Sequence, residues 1–144
     1  MYILIFLKNE ANNIKKIENM GYEIGFRYVE NISGQQKLIG RDPLDLMKFI
    51  CKDLWEELFR KKIDKLQTNH RGVFVLSDFS FKWLDRYDMD NVESTLACNK
   101  LINFICGILR GALSNLGLVT IVTADPINSS PIGCTFNVKL KSTS

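Results

Sequence analysis

The chain has 144 residues, a length that favours a single domain spanning residues 1–144. It is 46% hydrophobic and 24% charged, which excludes a disordered chain, a collagen-like repeat and a disulfide-dense miniprotein. Nineteen Lys and Arg against sixteen Asp and Glu leave a net charge of +3, and basic and acidic residues mix along the chain. Nucleic-acid binders concentrate their positive charge on one face, so we expect no nucleic-acid partner.

The sequence contains no pattern typical of a targeting signal or a membrane span. The apolar run Tyr2 to Leu7 lacks a preceding basic region and a following cleavage site, and it is far shorter than the ~20 residues of a membrane helix. Residues 101–122 are long enough to span, but Arg110 interrupts them at a cost of about 2.5–3.5 kcal/mol on an insertion scale. We therefore expect no transmembrane segment, and we interpret this stretch as a buried helix followed by a strand.

The first half of the chain predicts two helices and a hairpin. Residues 2–10 fit either a helix or a strand. Asn12 or Asn13 is the candidate cap of the helix that comes next, and Ser33, Gly34 and Gly40 mark a polar loop after it. The apolar face of that helix is Ile14, Ile17, Gly21, Ile24 and Tyr28. Asp42 and Pro43 predict the start of a second, largely buried helix. Residues 63–71 are interpreted as an irregular exit, 73–76 as a strand, and 81–83 as a second, half-buried strand.

The second half predicts a long helix over about residues 94–116, which Gly117 ends. Residues 118–122 are typical of a strand, residues 125–133 of a loop with two prolines, and residues 134–140 of a last strand. This order of helices, hairpin, helix and two C-terminal strands indicates an α+β fold. We expect a helical layer packed on a four-stranded antiparallel sheet rather than a βαβ nucleotide-binding fold.

Catalytic and cofactor motifs are missing from the sequence. The nine glycines form neither of the phosphate-cradling loop motifs, and the four cysteines form no C-x-x-C pair. A single histidine does not complete a zinc site with those cysteines at any usual spacing. We therefore expect no catalytic residue, no cofactor and no metal. The remaining enzymatic alternative pairs Cys51 or Cys106 with His70 as nucleophile and base.

Four glycines lie inside predicted helices, at Gly21 and Gly25 and again at Gly107 and Gly111. Each helical glycine costs about 1 kcal/mol relative to alanine, so some close backbone contact should offset the loss. Asn103 and Ser114 extend the second glycine pair into a seam of small residues. Packing within the chain and packing against another subunit both explain such a pattern.

Three sequence blocks are similar to a known family. They are KIENMGYEIGFR (16–27), KFICKDLWEELFRKKIDKLQTNHRG (48–72) and FICGILRGALSNLG (104–117), and VTAD (122–125) follows them. The chain resembles the small subunits of TRAPP, the transport protein particle of the early secretory pathway. Within the Bet-three-like superfamily, the match is closest to the subunit 6 branch, and it covers residues 14–141.

This resemblance implies assembly rather than catalysis. In the family, a helical layer packs on a four-stranded antiparallel sheet, and subunit 6 pairs with the related subunit 3 through N-terminal helices. The complete particle tethers vesicles and promotes nucleotide exchange on an early-secretory Rab GTPase. A non-catalytic adaptor in the cytoplasm, peripheral at Golgi and endoplasmic reticulum membranes, is the function that the resemblance implies, with contact to the GTPase only through the assembled complex.

The expected surface for subunit 3 lies on the first helix. Its residues are Leu4, Leu7, Ile17, Met20, Gly21, Ile24, Gly25 and Tyr28. Two departures from the family stand beside this prediction: the region before residue 14 is short, and the loop over residues 31–41 has no cysteine at the position where subunit 3 is acylated. Lipid attachment is therefore not expected.

A ligand-binding module is the alternative function. Some members of the superfamily have an apolar interior channel, and five apolar residues of this chain are candidates to line one: Phe49, Trp55, Phe74, Phe104 and Ile108. A filled core explains these residues equally well.

Overall fold

The computed structural model describes residues 2–33, 41–84, 92–128 and 131–141, with side chains in the first helix described for residues 12–31. The elements are α1 (Tyr2–Ser33), α2 (Pro43–Phe49), α3 (Trp55–Phe59), β1 (Lys65–Thr68), β2 (Val73–Asp78), α4 (Val92–Asn115), β3 (Thr120–Ile127) and β4 (Gly133–Leu140). The four strands form one antiparallel sheet in the order β1-β2-β4-β3. The helices pack on this sheet, which confirms the predicted α+β architecture.

Helix α1 is one continuous helix of 32 residues, so the predicted cap at Asn12 or Asn13 is wrong. Both asparagines are exposed, and their side chains remain in solvent along an uninterrupted helix. Residues 2–10, which fitted a helix or a strand, are helical. Ser33, predicted to begin the polar loop, is the last residue of α1, and the rest of that loop, residues 34–40, lies outside the described residues.

The second predicted helix begins where its sequence indicates. The Asp42 side chain caps it by accepting a hydrogen bond from the Asp45 N–H at 2.9 Å, and Pro43 occupies the first turn. Between α2 and α3 the chain makes one π-helical turn (Ile50–Leu54), in which the Trp55 N–H reaches the Ile50 carbonyl. Arg60 adopts a left-handed conformation and ends α3.

The hairpin differs from the prediction. Residues 65–68, interpreted as an irregular exit, form strand β1 and pair with β2. The Asn69 Oδ1 atom makes the turn between them by accepting hydrogen bonds from the Arg71 and Val73 N–H groups. The predicted strand at Phe81 and Trp83 is instead a turn of 3-10 helix over Lys82–Leu84.

Strand β3 begins at Thr120, two residues later than predicted, and is longer than predicted. It continues through Asp125 and Pro126, which the sequence placed in a loop, and pairs along its whole length with β4. A proline fits here because β3 lies at the edge of the sheet, where a missing N–H removes no bond to a neighbouring strand. The predicted strand over residues 134–140 is confirmed as β4.

Helix α4 is the centre of the core and packs between α1 and the sheet. This helix is long and apolar enough to cross a bilayer by length and composition alone. Most of its apolar residues are buried inside the protein, as the sequence indicated. A cluster of aromatic rings completes the core between α3 and the sheet. Its members are Trp55, Phe59, Phe81, Trp83 and Phe136.

Asp78 is a fully buried carboxylate at the end of β2. One of its oxygens accepts a hydrogen bond from the Trp55 indole N–H at 2.9 Å, and the other pairs with the Lys61 ammonium at 2.6 Å. Partial burial lowers the pKa of the Lys61 ammonium, but hydrogen bonds to Asp78 and Asp64 and the charges of these carboxylates raise it by more. The net effect is a raised pKa. A buried charge is costly without such partners. The cluster therefore holds the segment that follows α3 against the end of β2.

We predict that Asp78→Asn lowers the free energy of unfolding by about 2–3 kcal/mol, because it leaves Lys61 without its buried partner. Urea titration followed by circular dichroism measures this change. The control is Asp53→Asn on an exposed position of the π-helical turn, which should change stability by less than about 0.5 kcal/mol. Equal stability of the two variants would show that the buried cluster has no structural role.

Candidate subunit interface on the first helix

The four helical glycines lie in the contact between α1 and α4. A Cβ atom at Gly21 would overlap the carbonyl oxygen of Phe104, and one at Gly25 would overlap that of Ile108. In the reverse direction, Cβ atoms at Gly107 and Gly111 would overlap the carbonyl oxygens of Glu18 and Tyr22. The two backbones are therefore in direct contact. Of the two explanations for the glycines, the structure shows packing within the chain.

Polar contacts flank this glycine contact. The Arg110 Nε donates to the Glu18 carboxylate at 3.0 Å, and its guanidinium lies 4.5 Å from the centre of the Tyr22 ring. The Tyr22 hydroxyl donates to the Ser114 Oγ at 2.7 Å, which places Ser114 in the seam that the sequence indicated. The sequence did not predict that Arg110 takes part in this contact. Its one signal there is a single charged residue inside an apolar helix.

The side of α1 that turns away from α4 carries exposed apolar residues. Met20 and Ile24 are 59% and 42% exposed, and Ile17, one turn earlier on the same side, is half-buried. Exposed side chains of this size, spaced three and four residues apart, form an apolar stripe on a rigid helix. They are the part of the predicted partner surface that the structure leaves open.

The other predicted interface residues have different surroundings. Gly21 and Gly25 are buried against α4, so bulky residues there would test the packing of the chain rather than partner binding. Tyr28 is half-buried, with its hydroxyl 3.4 Å from the Glu57 carboxylate; partial burial and then Glu57 raise its pKa. Leu4 and Leu7 belong to α1 by backbone, and their side chains lie outside the described set.

The alternative cysteine site has no favourable chemistry. Cys51 and Cys106 are buried, and burial raises the pKa of each thiol to about 12. His70 is exposed in the turn between β1 and β2, in a left-handed conformation. Because the thiolate is the nucleophilic form, neither cysteine is activated. Among the described residues, no group of three His, Cys, Asp or Glu side chains could hold a metal ion.

The candidate channel residues are mostly packed in the core. Trp55, Phe74 and Ile108 are buried, and Phe104 and Phe49 pack partly against them. Phe74 also borders an open groove of about 260 Å³ beside Leu44, Leu140 and His70. The five residues therefore do not surround one channel within the described part of the chain.

Comparison with known families agrees with this architecture. The family described as transport protein particle (TRAPP) component matches residues 4–141, nearly the whole chain. The chain belongs to this family.

Individual TRAPP relatives confirm the predicted resemblance to the subunit 6 branch. Trafficking protein particle complex subunit 6B of Homo sapiens is 42% identical over 128 residues, which cover 89% of this chain and 78% of that protein. Subunit 6A of Bos taurus is 39% identical over 132 residues, which cover 92% of this chain and 80% of that protein. The chain is therefore a TRAPP component, and its functional class is vesicle-mediated transport.

A solved structure supports the TRAPP fold. It is the crystal structure of trafficking protein particle complex subunit 3 from Naegleria fowleri covalently bound to palmitic acid, with a TM-score of 0.67. The alignment covers 98% of this chain and 89% of that one at 19% identity. At this identity the likeness shows the α+β fold alone.

We predict that Gly21→Ala lowers the free energy of unfolding by about 3 kcal/mol, because the added methyl group forces α1 and α4 apart. Thermal unfolding followed by circular dichroism measures the change. Asn19→Ala, at an exposed position of the same helix, serves as the control and should be close to neutral. A Gly21→Ala variant as stable as the control would mean that the helices are not in backbone contact.

We also predict that Cys51 and Cys106 resist alkylation in the native protein at pH 8 and react fully in denaturant. Burial and a pKa of about 12 both suppress the thiolate. Iodoacetamide labelling followed by peptide mass spectrometry gives the rate at each cysteine. Rapid labelling of either one in the native state would reopen the cysteine-nucleophile alternative.

Proposed function

We propose that the chain is a non-catalytic adaptor subunit of the TRAPP vesicle-tethering complex and that it forms a heterodimer with a subunit 3 relative. The exposed stripe of Ile17, Met20 and Ile24 on α1 is the surface that this partner covers. The observation that carries the proposal is the exposure of Met20 and Ile24 on a helix whose neighbouring side is fixed to α4.

The chemistry of this surface suits a permanent protein partner. Burying large apolar side chains contributes about 25 cal/mol per Å² of apolar area before the costs of association are subtracted. Since α1 is already held by α4, its stripe needs little ordering on binding, which lowers those costs. Obligate subunit contacts are more apolar than transient ones, and an apolar stripe on a helix fits the centre of such a contact.

A role in assembly also agrees with the chemistry of the rest of the chain. The thiols are buried and poorly nucleophilic, and the described residues form no metal site. Under this proposal, nucleotide exchange on an early-secretory Rab GTPase is a property of the assembled complex and not of this subunit alone. The subunit resides in the cytoplasm, peripheral at Golgi and endoplasmic reticulum membranes.

We predict that the double variant Met20→Asp and Ile24→Asp loses its TRAPP partners while retaining its fold. The two carboxylates would be buried without a partner in the heterodimer, whereas both positions are exposed in the isolated chain. Co-purification of the tagged protein from cells, followed by mass spectrometry for the other TRAPP subunits, measures the loss. We expect a reduction of at least about tenfold in recovered subunit 3.

The matched control is Lys48→Asp and Lys52→Asp, two exposed positions on the helix segment between residues 43 and 54. This variant introduces the same two residues and should retain the partners. If the wild-type protein recovers no TRAPP subunit, the proposed function is wrong. If the α1 variant recovers them as well as the control does, the function stands and the interface is on another surface.

A further inference from the structure

A second open surface lies on the side of α1 opposite the apolar stripe. Here α1, α4 and the edge strand β3 border a groove of about 410 Å³, which we name the β3 groove. Residues that line it include Lys15, Glu18, Arg110, Thr120, Val122 and Lys141. With about 3.6 residues per helical turn, Lys15 and Ile24 lie on opposite sides of α1. A partner that covers only the stripe therefore leaves the groove accessible.

The β3 groove carries an excess of positive charge. Three cationic side chains from separate parts of the chain line it, and Glu18 supplies one carboxylate. That carboxylate is already paired with the Arg110 Nε at 3.0 Å, which also fixes the position of the guanidinium beside the groove. Lys15 and Lys141 are exposed and make no salt bridge with the described residues. The groove is therefore complementary to a ligand that brings several negative charges.

The edge of β3 has main-chain groups that can accept another strand. In the described sheet, β3 pairs with β4 alone. The Lys141 N–H donates to the Val119 carbonyl, so alternate residues from Val119 onward direct their main-chain groups toward β4. Val122 and Ala124 lie between those residues and direct their N–H and C=O groups to the free edge.

Pairing with another strand is limited at both ends of this free edge. Thr120 is 2% exposed at the base of the groove, and its Oγ1 atom has no hydrogen-bond partner within the described residues. At the other end, Pro126 occupies the next position that faces the free edge and has no N–H to donate. The open edge is therefore limited to a short segment, with the exposed Ile121 side chain beside it.

We propose that the β3 groove binds an extended, acidic segment of a partner protein, which adds to β3 as a fifth strand. The main-chain groups of Val122 and Ala124 pair with the segment, and its carboxylates contact Lys15, Arg110 and Lys141. Strand addition explains affinity for a peptide backbone, and the cations explain selection for acidic side chains. The proposal does not depend on the heterodimer interface, because the two surfaces share no residue.

The test uses the full chain labelled with ¹⁵N and a short synthetic peptide in which Glu alternates with Val. On binding, we expect slower hydrogen exchange at the Val122 and Ala124 amides, by at least about tenfold, because each N–H gains a strand partner. The double variant Lys15→Glu and Lys141→Glu should weaken the peptide affinity by at least about tenfold. Lys48→Glu and Lys52→Glu, with the same change in charge on another surface, should leave it unchanged.

Three results would overturn the proposal. The first is no binding of the Glu-Val peptide, or equal binding of a peptide in which Lys replaces Glu. The second is binding that leaves hydrogen exchange at Val122 and Ala124 unchanged, which would mean charge attraction without strand addition. The third is that vesicles containing phosphatidylserine bind and lose affinity in the Lys15 and Lys141 variant, whereas the peptide shows no such loss. That result would assign the surface to a membrane.

Discussion

The direct backbone contact between α1 and α4 is the constraint on which the other features of this protein depend. Four glycines allow the two helices to approach until carbonyl oxygens of one occupy the space where Cβ atoms of the other would lie. Each glycine weakens its own helix by about 1 kcal/mol relative to alanine, and the close packing offsets that loss. Because α4 also packs on the sheet, this contact attaches α1 to the rest of the domain.

Fixing α1 in this way determines which of its sides remain available. One side is buried against α4, a second presents Met20 and Ile24, and a third borders the β3 groove. The same helix thus supplies an apolar stripe suited to a permanent subunit contact and part of a charged groove suited to a more exchangeable one. Under the two proposals, this TRAPP component contacts two partners, which requires separate surfaces of this kind.

The sequence was sufficient to predict the fold class, the start of α2 at Asp42 and the strand β4. It also indicated that the helical glycines needed a close neighbour. It could not divide the apolar face of α1, because Gly21 and Ile24 belong to one periodic pattern although they face different directions in the structure. Only the position of α4 separates the buried residues from the exposed ones.

The hairpin was mispredicted for a different physical reason. Strand β1 is a short edge strand whose side chains alternate between exposed and half-buried, so it has little of the apolar content that predicts a strand. Phe81 and Trp83, in contrast, alternate with Lys82 as strand residues do, although they extend an aromatic cluster from a helical turn. Local pattern alone does not distinguish these cases. Pairing with β2 decides the first, and ring contacts with Phe59 decide the second.

The central claim is that one side of α1 is held by α4 and that a TRAPP partner covers the neighbouring apolar stripe. Oxidative footprinting of methionines tests it most directly, since Met20 is 59% exposed and Met47, fully buried, is an internal reference. The account predicts that Met20 is oxidised readily in the isolated protein and becomes about as protected as Met47 in the assembled complex. Equal oxidation of Met20 in the isolated and assembled states, with Met47 protected in both, would contradict it.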